Sequence, residues 1–215
     1  YGQDNISDVQ HWFHWDAEVN VCRSQIAGDT SEWTFFSGDG PPKATHSGIA
    51  LTGTNYPASS RPLGLPAPTS AASIVVAGAV DETETVEIRV YTYTLVNKEA
   101  GRTIESAPAA ASTSVSVRTS QTVTVSTFAS LPGAGYISTH RRIYRSTAGV
   151  FLLVAEIPVA TATYSDDVDA ADLAEEIPSM LWSEPPAALQ GLINLPNGMM
   201  AGFVGRDLYF CEPYR

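Results

Sequence analysis

The sequence predicts an all-β protein: a β-sandwich inserted into a discontinuous, β-rich outer domain. Three observations in the 215 residues predict it. The middle of the chain repeats short runs of alternating polar and apolar residues at intervals of about ten residues. Helical periodicity is nearly absent from the rest. The last residues return to the turn-rich texture of the first seventy, as if one domain were interrupted and resumed.

Residues 1–70 form the first part of the outer domain. They hold Trp12, Trp15 and Trp33 and dense turn signals, Gly28-Asp29, Gly38-Asp39-Gly40-Pro41-Pro42 and Gly53-Thr54-Asn55. From Tyr56 to Ala72 the chain carries Pro57, Pro62, Pro66 and Pro68, each removing a backbone donor, which predicts a semi-rigid linker.

Residues 71–167 are the predicted sandwich. In the run from Thr85 to Asn97, Val86, Ile88, Val90, Thr92 and Thr94 alternate with Glu87, Arg89, Tyr91 and Tyr93, the period of a half-buried strand. Residues 73–80, 114–119, 121–127, 138–146, 150–157 and 160–166 read as further short strands. About seven strands over roughly 95 residues argue a sandwich.

Residues 168–190 form a linker, with a helix expected from Asp169 to Glu176 that Pro178 stops. Residues 191–215 close the chain. Asn197-Gly198 marks a turn, Met199–Val204 and Leu208–Cys211 read as strands, and Gly205-Arg206-Asp207 is a hairpin loop. An isolated hairpin is marginal in water, so further chain or a neighbouring subunit is expected to complete this sheet.

The net charge of −11 argues against a nucleic-acid-binding surface, which needs clustered Lys and Arg. An acidic wall would suit a tube through which DNA slides without adhering. No apolar run approaches the roughly 20 residues of a membrane helix. Cys22 and Cys211 do not form the framework of a disulfide scaffold, and two buried free thiols are expected.

Each chemical constellation has a plainer reading. His11, His14 and Asp16 offer imidazole and carboxylate ligands, but on a strand His11 and His14 point to opposite faces, so an aromatic core or interface strand is expected. Asp166, Asp167, Asp169, Asp172, Glu175 and Glu176 lack the glycine at the sixth position of a calcium loop and read as a solvated acidic face. Arg141, Arg142 and Arg145 divide between two strand faces, forming no basic stripe, and are expected to pair with nearby acids as exposed ion pairs. No nucleophile elbow, zinc-protease helix, phosphate loop or dinucleotide fingerprint occurs, so no enzyme, catalytic residue, metal or cofactor is predicted.

These strings also carry a resemblance. "VYTYTLVN", "AGRTIESAPA", "QTVTVST", "RRIYRST" and "VFLLVAEIPVATATYSD" resemble, in that order, a fibronectin type III-like module of the kind found in tailed-phage virion proteins. The flanks, "VNVCRSQIAGDTSEWTFFSGDGPPKAT" and "LWSEPPAALQGLINLPNGMMAGFVGRDLYFCEPYR", are similar to the tail tube or nozzle proteins of short-tailed phages. The resemblance implies a structural virion protein, made in the host cytoplasm and placed in the phage tail. It implies a homo-oligomer, a hexameric ring around the DNA-ejection channel, meeting adaptor and fibre proteins, with DNA passing unbound and no membrane insertion at rest. It further implies an outward fibronectin-like domain that contacts fibres or the cell envelope, and a chain that continues beyond Arg215 into propeller-like β structure. Trp12, Trp15, Trp33 and the edge of the last hairpin are the expected interface elements. The alternatives are a receptor- or carbohydrate-binding adhesin module of a tail fibre, using Trp and Tyr as stacking platforms, and a cell-wall hydrolase with a fibronectin-like spacer.

Overall fold

The computed structural model describes residues 2–3, 10–133 and 135–213, and the fold is all-β as expected. In chain order the strands are β1 (Gly2–Gln3), β2 (Gln10–His11), β3 (Asn20–Arg23), β4 (Thr34–Gly38), β5 (Gly40–Thr45), β6 (Arg61–Pro62), β7 (Ser73–Ala77), β8 (Glu87–Arg89) and β9 (Tyr91–Glu99). There follow β10 (Arg102–Glu105), β11 (Val115–Val117), β12 (Thr122–Ser126), β13 (His140–Thr147), β14 (Val150–Pro158), β15 (Thr163–Asp166), β16 (Gln190–Asn194), β17 (Met200–Val204) and β18 (Asp207–Phe210).

The middle of the chain is sandwich-like. One antiparallel sheet has the order β10-β9-β13-β14; the strands facing it form β15-β12-β7 and the ribbon β11-β8. Tyr91 and Tyr93 from β9, Ile143 from β13, Val123 and Val125 from β12 and Val117 from β11 meet in one buried cluster. Alternation explains why: Ile143 lies opposite Tyr93 and Arg145 opposite Tyr91, so one face of each strand turns inward together.

One expected strand breaks in two. Residues 87–89 pair with β11, whereas 91–99 pair with β10 and β13. The apolar set Val86 and Ile88 stays exposed, and the core takes the tyrosines from the opposite phase. The tyrosine rings supply far more buried area than Val or Ile, and their hydroxyls find buried partners.

The remaining strands build a second cluster. β3-β4-β5-β6 form one sheet and β16-β17-β18 another. Cys22, Trp33, Phe35 and Ala44 from the first meet Leu189 and Leu192 from near the chain's end, with Met200 and Val204 alongside. The closing hairpin is therefore not isolated: β16 adds a third strand, and the Leu192 amide donates to Ser37 Oγ on β4.

Other expectations are corrected. The proline-rich stretch is not a free linker, because Pro62 and Arg61 pair with Lys43 and Ala44, and Leu65 is buried. The turn at 38–42 shrinks to Asp39, since Gly40–Thr45 is already a strand. Gly38 makes that reversal possible: its φ is +110°, and a Cβ there would lie 2.2 Å from the Glu18 carbonyl oxygen.

The expected helix from Asp169 to Glu176 is a single 3-10 turn, Ala170–Asp172, followed by extended chain. Asp169 supplies no side-chain cap, so the first turn keeps its orphan donors. Downstream residues instead hydrogen-bond to β14: Leu153 N–H donates to Glu175 O, Ala174 N–H to Leu153 O and Ile177 N–H to Phe151 O. Covering an open sheet edge outweighs the helix propensity of a short acidic segment. The α-helical turn of the described residues lies elsewhere, at Ser47–Ala50, capped by His46 Nδ1, which accepts from the Gly48 amide.

Candidate functional site

The residues singled out in sequence separate into buried networks and exposed surfaces. Arg145 and Asp166 face each other in the sandwich interior, each about 1 % exposed, with Nη1 donating to Oδ2 at 2.7 Å. Tyr91 donates its hydroxyl to the same oxygen at 2.5 Å, and Arg145 also reaches the Val168 carbonyl. Arg142 bridges Glu105 and Glu156, while Tyr144 and Thr94 donate to the other Glu105 oxygen. Burial pushes the Tyr91 and Tyr144 hydroxyls well above the ordinary phenol value, and the carboxylates of Asp166 and Glu105 add to it.

The exposed ion pairs expected of the three arginines are thus largely internal. Arg141 has no carboxylate at all among the described residues: it donates to the Val159 carbonyl at 2.6 Å and lies over the Phe128 ring. Asp166 leaves the predicted solvated acidic face, whereas Asp167, Asp169, Asp172, Glu175 and Glu176 remain exposed. A folded carboxylate at the end of β15 finds the arginine of β13 because both strands turn that face inward, which spacing in sequence does not reveal.

The aromatic residues also divide. Trp33 is 1 % exposed and is a core residue, not an interface one. It stacks on Phe35 and donates from Nε1 to the Ala100 carbonyl across the junction with the sandwich. Trp15 leans on Phe36, and Trp12 is exposed. His11 meets the Tyr56 ring edge-on at 4.7 Å, and the His14 amide donates to Tyr56 O. Among the described residues no three His, Cys, Asp or Glu side chains cluster as metal ligands.

Cys22 is buried and Cys211 half-buried, both as free thiols. Met200 sits with both: the Cys22 thiol points at its sulfur at 3.8 Å, and its amide donates to the Cys211 sulfur at 3.0 Å. Burial, reinforced by Cys211, pushes the Cys22 thiol up to about 11.

The junction between the two clusters is polar and specific. Glu99, at the end of β9, accepts from Arg61 at 3.1 Å and from Asn97, and lies 3.5 Å from His46 Nε2. Burial alone would raise the Glu99 carboxyl, but these hydrogen bonds and the Arg61 charge outweigh it and hold the carboxyl below its ordinary value. Arg102 lies over Trp33 and Phe35 at 5.4 and 4.8 Å from their ring centroids.

The closing sheet carries a row of unburied apolar side chains. Ile193, Phe203, Leu208 and Phe210 are exposed, Leu208 at 67 % and Phe210 at 57 %. Register places Phe203 opposite Leu208 and Ala201 opposite Phe210, so Phe203, Leu208 and Phe210 share one face. Met200 and Val204, in the other phase of β17, pack into the second cluster. β18 ends the sheet, and no strand among the described residues pairs with its outer edge. In sequence the signal is a strand apolar in both phases, which needs cover on two sides.

No family model, curated protein or solved structure matches this chain.

Proposed function

We propose that the chain is a structural virion protein of a short-tailed phage, a nozzle or tail-tube component that closes into a ring around the DNA-ejection channel. The observation that carries the reading is the apolar outer face of the closing sheet beside the open edge of β18, which needs a partner surface. A second copy of the chain is that partner, since a ring uses one patch against a different patch of its neighbour. The resemblance of the flanking strings supports the assignment, and the net charge of −11 suits a wall that DNA passes without adhering. In this reading the sandwich is a fibronectin type III-like insertion displayed outward, and residues 1–70 and 191–215 make up one platform domain.

Electron microscopy and sedimentation of the purified chain test the reading. A closed ring with an axial channel is expected, and Leu208→Lys with Phe210→Lys should dissociate it into monomers that keep their circular dichroism. A monomeric wild type at micromolar concentration would overturn it.

A further inference from the structure

A cavity of about 290 Å³ lies where β10, the proline-rich stretch, residues 181–185 and the closing hairpin meet. Its walls are mainly apolar, with Trp33, Leu65, Ile104, Trp182 and Phe210 among them. Arg102 is the exception that gives it chemistry. Eight basic side chains of this acidic protein, from Arg23 to Arg145, lie within 4.0 Å of a carboxylate. Arg102 has no such partner among the described residues, and its buried Nη1 has no hydrogen-bond acceptor. The carboxylate of Asp29, which acts on it from a distance, is occupied by the amides of Ser31 and Trp33. Burial holds the guanidinium below its ordinary value, though it remains a cation at neutral pH.

A partly buried guanidinium without a counter-charge is costly unless something supplies one. The ring faces of Trp33 and Phe35 supply part, and they leave the guanidinium's edge donors unused. The other arginine on the lining, Arg61, is already neutralised by Glu99, and Glu184 and Glu212 also line the cavity. Glu105, also on the lining, is held by Arg142, so the two remaining carboxylates disfavour a dianion such as a phosphate monoester and leave room for a single negative charge held directly on Arg102. At the roughly 30 Å³ that a water occupies in the liquid, the volume suits about ten non-hydrogen atoms.

We infer that this cavity is a binding site for a small apolar monocarboxylate, its carboxylate on Arg102 and its hydrocarbon body between Trp33, Leu65, Ile104 and Trp182. Phe210 borders both this cavity and the face proposed for assembly, but the carboxylate seat on Arg102 does not require a ring.

The test titrates the full chain with octanoate and with octan-1-ol as its uncharged counterpart. Trp33 and Trp182 line the cavity, so tryptophan emission reports occupancy, and calorimetry gives stoichiometry. Octanoate should bind saturably at one site per chain, about tenfold tighter than octan-1-ol. Arg102→Gln should remove that preference and leave octan-1-ol binding unchanged, and Arg102→Lys should restore part of it. If Arg102→Gln does not fold, the wild type still decides: octanoate must raise its thermal midpoint more than octan-1-ol does. Equal binding of the two, or no saturation below about 5 mM, overturns the inference.

Discussion

The two buried clusters are stabilised by different means. The sandwich cluster is tyrosine-rich and holds the Arg145–Asp166–Tyr91 network on its own face of the sheet, while Arg142–Glu105–Tyr144 lies on the opposite face of the same strands. The other cluster is built on Trp33, Phe35, Cys22, Ala44 and leucines, apolar side chains among the described residues. The difference teaches that strand alternation with hydroxyl-tipped rings can hold arginine and acid within a core, whereas a sheet assembled from distant chain segments relies on large apolar rings. It also supplies a means of observing each: every tryptophan lies outside residues 71–167, while Tyr91, Tyr93, Tyr144 and Tyr164 lie within it.

The comparison breaks most sharply at Trp33. Trp33→Ala should lower the unfolding free energy by about 4 kcal/mol, through the cavity left behind and the loss of the Ala100 hydrogen bond. The remaining tryptophans should lose their near-ultraviolet circular dichroism on heating before the tyrosines do. Simultaneous loss would make the clusters one cooperative unit.

Asp166→Ala is the reciprocal experiment. It strands Arg145 in the interior and should cost about 3 kcal/mol, read by urea unfolding, with the tyrosine signal failing first. Gly38→Ala should cost about 2 kcal/mol in the tryptophan-bearing cluster, because its backbone conformation and the Glu18 carbonyl both oppose a Cβ. Glu99→Gln acts on the junction and should cost about 1 kcal/mol, with a double-mutant cycle against Arg61→Ala recovering the coupling.

The smallest effect at neutral pH comes from the buried acids of high pKa. Cys22 is raised from 9.0 to about 11, and Tyr91 and Tyr144 are raised above 10.0. The unfolded chain releases these protons first, so their stabilisation is complete below the ordinary values and is lost as pH rises through the folded ones. Thermal midpoints from tryptophan emission should therefore begin to fall near pH 9, about one unit below those of the sandwich's strand signal. Coincident decline would remove this distinction between the clusters.

Much of the sandwich was legible in the sequence. β12 and β15 follow alternating runs, and β13, β14 and β15 follow one another through short connections, so there local pattern and tertiary packing agree. The run from Thr85 to Asn97 left its buried face open, because alternation marks two faces without saying which is covered. The acidic segment after β15 misled because its propensity competes with the open edge of β14, about twenty residues earlier, and local pattern does not show which edge is left unpaired. Trp33 looked like a surface aromatic for a similar reason, since the leucines that bury it lie near residue 190. Arg102 carried no signal: a single arginine becomes distinctive only when the fold buries its Nη1 without an acceptor at the wall of a cavity. The two strand runs of the closing hairpin were visible, as was the open edge that the proposed assembly would use.

The turn joining β9 to β10 is grasped from outside by three contacts: Trp33 on Ala100, Arg61 on Glu99, and the paired rings beneath Arg102. A pull on the far end of the sandwich would be carried by the two chain connections before β7 and after β15, with these contacts at the hairpin tip fixing its tilt. Its grip is made of short-range contacts that yield together, so under load the tip would act as a mechanical fuse, letting the sandwich swing aside before either core is torn open.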